Sequence, residues 1–232
     1  MKLCVIPARG GSKRIPRKNI KSFCGKPMIA YAIEAAKKTS LFDYVIVSTE
    51  DEEVASISRD FGAEVPFVRP ETLADDHTAT VDVIAQAIIE VENLGWNVGF
   101  VCCIYPCVPL LQSKDLAAAF ELLQNTQDAD YSFPITKFPS AVQRGLRLQE
   151  SNLLTSFYPE YEQMRTQDFE SAFYDAGQFY WGYRNSWLQN KKIHNSSAGL
   201  VIASWRVVDI DTPEDWERAE LLFRAFQSKE NR

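Results

Sequence analysis

The apolar positions of the chain alternate between two spacings. Residues 3–6 (Leu-Cys-Val-Ile) form a short apolar run that stops at Pro7 and predicts a buried strand. Residues 28–38 repeat apolar positions at helical spacing, with Met28, Ala32, Ala35 and Ala36 able to share a face. Residues 44–48 (Tyr-Val-Ile-Val-Ser) read as a buried strand, 51–61 as a helix and 64–68 as a further strand. Residues 80–94 form an amphipathic helix whose inward face carries Val83, Ile84, Ala87, Ile88 and Val91. A strand at 98–104, a helix at 113–124 and a strand at 130–135 follow. After an interruption, strands are expected at 199–203 and 206–210, then a C-terminal helix from Pro213 with Thr212 as its N-cap. This alternation predicts an α/β fold, a three-layer arrangement of a mostly parallel sheet with helices on both faces.

The interruption spans residues 136–190, where the periodicity is poor and aromatics are dense: Phe138, Phe157, Tyr158, Tyr161, Phe169, Phe173, Tyr174, Phe179, Tyr180 and Trp181. Such a stretch reads as an insertion that packs on a substrate or on a second subunit. A chain of 232 residues with 46% hydrophobic composition is long enough for one domain, 1–232, carrying that insertion.

Charge sharpens the picture. The formal net charge is −6, which argues against nucleic acid as a partner, yet residues 1–33 hold eight basic residues and no acidic one. An acidic chain that keeps a purely basic segment is expected to bind an anion there; a solvated basic surface is the plain alternative. The five cysteines fit no paired zinc spacing, and Cys4, Cys102 and Cys103 lie in apolar runs as reduced, buried thiols. The residues before Pro7 are too few for a signal peptide and no run reaches membrane-spanning length, so a cytoplasmic location with no membrane partner is expected.

The basic segment also has a motif. Directly after the first strand, residues 7–19 read Pro-Ala-Arg-Gly-Gly-Ser-Lys-Arg-Ile-Pro-Arg-Lys-Asn. Gly10 and Gly11 allow backbone N–H groups to approach an anion, Ser12 adds a hydroxyl, and Arg9, Lys13 and Lys18 add charge. The position, beyond the carboxyl end of a strand, is where open α/β sheets bind ligands. The string is neither a Walker A loop nor a dinucleotide-binding fingerprint.

The pattern P-A-R-x-G-S-K-x-x-P-x-K-N resembles the signature of the CMP-sialic acid synthetase type of nucleotidyltransferases. The resemblance continues through Arg69-Pro70 with Leu73-Ala74, Asp76 and Thr78–Thr80, the segment Ile-Tyr-Pro-Cys-Val-Pro-Leu-Leu at 104–111, and Val208-Asp209-Ile210-Asp211-Thr212. It covers nearly the whole chain. It implies a magnesium-dependent transfer of CMP from CTP to an acidic nine-carbon sugar, in a homodimer joined through the aromatic segment. By that resemblance Ala8, Arg9, Gly10, Gly11, Ser12, Lys13, Lys18, Asn19, Arg69, Asp76, Thr78 and Thr80 contact the nucleotide, and Lys18, Arg9 and Asp211 act on the reacting phosphates. Period two along an expected strand would put Asp209 and Asp211 on one face, with Cα atoms roughly 6–7 Å apart, as ligands for Mg²⁺.

Neither His77 nor His194 is identifiable as a catalytic base, although His77 adjoins the expected nucleotide segment. At the sugar end, Tyr105-Pro106-Cys107-Val108 stands where the family usually has Gln-Pro-Thr-Ser, and Tyr174-Asp175-Ala176-Gly177 where it has Arg-Pro-Asn-Gly. The string 165–181 resembles instead the branch of that family acting on pseudaminic acid, with Tyr105, Arg165, Gln178 and Tyr180 as pocket candidates and Phe169, Phe173 and Phe179 as core or dimer contacts. Sialic or legionaminic acid is the alternative sugar. A non-catalytic nucleotide-binding protein and a glycosyltransferase are readings of other kinds.

Overall fold

The computed structural model describes residues 1–75 and 78–230. Eleven strands and six helices follow one another along these residues. They are β1 (Lys2–Pro7), β2 (Ser22–Phe23), β3 (Lys26–Pro27), α1 (Met28–Lys38), β4 (Tyr44–Ser48), α2 (Glu52–Asp60), α3 (Thr80–Asn93), β5 (Phe100–Ile104), α4 (Ser113–Asn125) and β6 (Tyr131–Lys137). There follow β7 (Leu146–Leu148), β8 (Leu154–Ser156), β9 (Phe173–Asp175), β10 (Phe179–Tyr183), α5 (Arg184–Leu188), β11 (Ser197–Val201) and α6 (Pro213–Glu230). The main sheet has the order β11-β6-β10-β5-β1-β4, with β9 also pairing with β6. Strands β4, β1, β5, β6 and β11 run one way, while β9 and β10 run the other. The sheet is therefore mixed with a parallel majority, and the α/β expectation holds.

Alternation along β1 builds the two faces. Cys4 and Ile6 pack with Ile29 and Ile33 of α1 and Leu116 and Leu123 of α4. Leu3 and Val5 pack on the other side with Ile84, Ile88 and Val91 of α3 and Trp187 of α5. Period-two side chains meeting period-3.6 helix faces on both sides make the three layers. A third cluster docks α6 against the basic loop: Trp216 and Phe223 meet Phe23 and Tyr31 edge-on, beside Ile15 and Ile210. All five cysteines are free thiols, and Cys4, Cys102 and Cys103 are buried.

Three expected elements come out differently. Residues 64–68 are not a strand; only an Ile46–Glu64 bridge forms, because Pro66 has no N–H and the chain leaves the sheet edge. Residues 206–210 are not a strand either. Arg206 ends a short 3₁₀ turn and is buried against Asp115 of α4, its carbonyl accepts from Gln178 Nε2 at 2.8 Å, and no described strand pairs with the residues after it. Third, the aromatic segment is not wholly an insertion. Strand β10 lies inside the sheet between β5 and β6, and Phe179 and Trp181 are fully buried, with Trp181 Nε1 donating to the Leu116 carbonyl at 2.9 Å. What projects is the narrower stretch 138–172, which carries the β7–β8 hairpin.

The N-cap of α6 is as expected: Thr212 Oγ1 accepts from Asp215 N (3.2 Å), and Asp215 Oδ2 accepts from Thr212 N (2.9 Å).

Candidate active site

The chain leaves β1 toward β4 on one side, and β5 joins β1 on the other. The loops after β1 and β5 therefore diverge, and the crevice between them is the ligand position of an open sheet. It is a cavity of about 590 Å³, a size that suits a nucleotide together with part of a second substrate. Of the residues singled out from sequence, Arg9, Ser12, Lys13, Lys18, Asn19, Arg69, Thr78, Thr80, Tyr105 and Asp209 line it. The break between β9 and β10 adds Gly177, held at φ +60° and suited to glycine, with its N–H on Asp175 Oδ1 (2.8 Å).

The loop is shaped by its own neighbours before any ligand arrives. Lys18 Nζ donates to the Ile210 carbonyl (2.7 Å) and lies 3.4 Å from Asp211 Oδ1. Arg14 Nη2 is 2.9 Å from the same carboxylate oxygen. These contacts tie the basic loop to the acidic segment near the chain's end. Asp209 faces the cavity; partial withdrawal from water and then the charge of Asp211 push its carboxyl above the usual carboxylate range, with Lys18 pulling the other way. Arg69 is buried, with Nε on Ser48 Oγ (3.1 Å); burial lowers its pKa to about 10, leaving it cationic at neutral pH.

The two glycines differ in role. The Gly10 N–H is taken by Glu50 Oε1 (2.7 Å), and a Cβ at Gly10 would run into Asp51. Gly10 is thus required by close approach of the turn after β4, whereas Gly11 has open space around it. This changes the part expected of Gly10, whose open backbone makes room for Asp51 and Glu50 rather than for an anion. The Asp51 carboxylate caps α2 through Val54 N (2.9 Å) and holds Arg17, whose guanidinium draws the Asp51 pKa down to about 2. Nothing in the sequence marked Glu50 and Asp51 as supports of the loop. Arg14 was legible as a basic residue at a variable position of the motif.

Other expectations are revised. Ala8 is wholly buried in the core and does not line the cavity. Gln178 points inward to the Arg206 carbonyl, and Tyr180 is buried with its hydroxyl on Asp175 Oδ2 (2.9 Å). Tyr180 is withdrawn because β10 is an interior strand, and Gln178, just before that strand, is held by Arg206. Arg165 lies exposed on the projecting stretch and does not line this chain's cavity. Asp211 does not line the cavity and reaches it through Lys18 and Arg14. Asp209 and Asp211 stand on irregular chain, so strand alternation is not what brings them near each other. Val108 is a core residue, while Tyr105 and Cys107 do reach the cavity. The expectations for Asp76 and His77 lie outside the described residues.

Residues 3–230 match the family model described as cytidylyltransferase. The chain belongs to the cytidylyltransferase family. A pseudaminic acid cytidylyltransferase of Campylobacter jejuni is 39% identical over 223 residues, covering 96% of each chain. A CMP-N,N'-diacetyllegionaminic acid synthase of Legionella pneumophila is 30% identical over 230 residues, covering 97% of each. Among solved structures, a CMP:2-keto-3-deoxy-manno-octonic acid synthetase complexed with CTP matches with a TM-score of 0.71 at 18% identity, over 97% of this chain and 99% of that one. That last likeness supports the fold.

Proposed function

We propose that this enzyme transfers CMP from CTP to pseudaminic acid, releasing pyrophosphate. The observation that carries the reading is the single cavity onto which Arg9, Ser12, Lys13 and Lys18 converge from one loop, facing Asp209 from the other. Cations and a hydroxyl on one wall suit a triphosphate. The sugar assignment rests on the 39% identical relative and on a cavity wall where Tyr105 stands in place of the glutamine usual in the resembled family. Pseudaminic acid carries a methyl group and an extra acylamino group where sialic acid has hydroxyls, and an apolar wall disfavours unsatisfied hydroxyls.

Lys18 and Arg9 hold the phosphates and stabilise charge as the acceptor hydroxyl oxygen bonds to the α-phosphorus and the bond to pyrophosphate breaks. Lys18, fixed by the Ile210 carbonyl, needs little reorganisation to do so. Asp209 would hold a magnesium ion from the cavity wall, where it offers hard oxygen donors and has a raised pKa that a divalent charge would relieve, and Asp211, paired here with Lys18 and Arg14, would be the second carboxylate. When bound there, the ion supplies neutralising charge to the phosphates.

The proposed working form is a homodimer joined through the projecting stretch. Support comes from its exposed apolar side chains, including Leu148 at 67% and Leu153 at 65% exposure, with Leu146, Leu154 and Phe157 beside them. A cytoplasmic location, where CTP is made, accompanies this reading; no described helix is long and apolar enough to cross a membrane.

The test is mass detection of CMP-pseudaminic acid with stoichiometric pyrophosphate from CTP and the free sugar. Product from legionaminic or sialic acid alone would reassign the sugar. No product from any nonulosonic acid, or full turnover in excess chelator, would overturn the transfer or its metal dependence.

A further inference from the structure

We propose that Cys107 is a positioning residue for the nucleotide end of the site, acting through Asn19. This rests on the assignment of the basic loop to CTP. Cys107 lies in the loop after β5, on the cavity wall, and stands where the resembled family usually has threonine. A small thiol two residues from Tyr105 reads most simply as part of an apolar sugar wall. The geometry points elsewhere. Its Sγ is 3.3 Å from Asn19 Oδ1, and Asn19 is only 7% exposed. The Asn19 side chain then donates through Nδ2 to the Arg9 carbonyl at 2.8 Å, and the main-chain carbonyl of Asn19 accepts the N–H of Ile29 in the first turn of α1 at 2.8 Å.

The direction of this chain of contacts is fixed by chemistry. An amide oxygen can only accept, so the sulfur must be the donor, and only a protonated thiol has a hydrogen to give. Burial pushes the Cys107 thiol up to about 12, against the pull of Lys18, so the hydrogen is present across the working pH range. With the donor in place, the Asn19 amide has one satisfied orientation, with its NH₂ toward Arg9. Without it, the buried Oδ1 lacks that partner, and an amide that flips to compensate withdraws the bond to Arg9. Arg9 lines the cavity at the start of the glycine loop, and its peptide precedes Gly10, whose N–H is already fixed by Glu50. Cys107 therefore acts two contacts away from the phosphates.

Three variants and one cycle decide between this role and a sugar-wall role. CTP affinity is measured by calorimetry without sugar, and KM is measured for each substrate separately. Cys107→Ala is expected to weaken CTP binding and raise the CTP KM about fivefold, with the sugar KM unchanged. Cys107→Ser restores the donor and recovers CTP affinity to within about twofold of wild type. Asn19→Ala and the double variant Asn19→Ala/Cys107→Ala are expected to bind CTP equally, since the thiol works only through Asn19. A normal CTP affinity in Cys107→Ala overturns the proposal. So does a rise confined to the sugar KM, a serine variant no better than alanine, or additive losses in the double variant. A wild type that binds no CTP at all removes the nucleotide assignment itself, a failure distinct from any of these.

Discussion

Replacing Gly10 with alanine tests the architecture of the basic loop. The added Cβ would stand 2.8 Å from Asp51 Cγ and 2.9 Å from Asp51 Cβ, and nearer still to Oδ2. Asp51 has nowhere to go without loss. Its Oδ1 caps α2 at Val54 N, and both of its oxygens meet Arg17. Losing the cap costs about 1 kcal/mol. The Arg17 pair is partly exposed, with side chains at 38% and 22%, so screening limits it to about 0.5–1 kcal/mol. If the loop moves instead, the Gly10 N–H leaves Glu50, at about 1 kcal/mol. By either route the cost is about 1–2 kcal/mol, which for a domain of this size lowers Tm by roughly 2–8 °C. Displacement of the peptide next to Arg9 should also raise the CTP KM by about tenfold or more. Gly11→Ala is the control: its Cβ meets nothing within 4 Å, and Tm should stay within about 2 °C. Scanning calorimetry and steady-state kinetics on the two variants give the answer. A Gly10→Ala enzyme as stable as Gly11→Ala, with normal CTP KM, would refute the close-approach argument.

Lys18→Ala should lower turnover by about 10²-fold or more with Tm little changed, since it removes one preorganised charge from the reacting phosphates; near-normal kcat at saturating CTP would take Lys18 out of the mechanism. Asp51 has a folded-state pKa of about 2, below its unfolded value of about 3.9, so its contribution is full above pH 4 and fades as pH falls toward 2. The Tm gap between wild type and Asp51→Asn should accordingly be constant above pH 4 and shrink below it; a gap unchanged down to pH 2 would show that the Arg17 contact does not hold in solution. Leu148→Asp together with Leu153→Asp on the projecting stretch should shift a dimer to monomer in light scattering, while a wild type that is already a fully active monomer would remove the dimer from the account.

Much of this organisation was legible because it is local. The strand at β1, the helices α1 and α3 and the Thr212 cap follow from spacing that a few neighbouring residues set by themselves. The glycine loop was legible for the same reason, since thirteen consecutive residues carry it. What the spacing concealed depends on distant partners. Residues 64–68 and 206–210 have strand-like composition, but a strand exists only where a neighbouring edge is free to pair, and the sequence does not say where edges lie. Phe179 and Trp181 read as part of an aromatic insertion because an interior strand shows apolar residues on both faces and no alternation. The same burial turned Tyr180 away from the cavity. Glu50 and Asp51 support the loop across a separation of 40 residues or so, which no motif records.

The proposed reaction is transfer of CMP to pseudaminic acid at the cavity between the basic loop and Asp209. Its most direct test is kcat/KM for pseudaminic acid against N-acetylneuraminic acid, measured by pyrophosphate release at fixed saturating CTP and magnesium. A wall that carries Tyr105 in place of the family's usual glutamine, and so leaves one or two sialic acid hydroxyls without partners, predicts a preference for pseudaminic acid of about 10-fold to 10³-fold. Equal values, or a preference for N-acetylneuraminic acid, would contradict it.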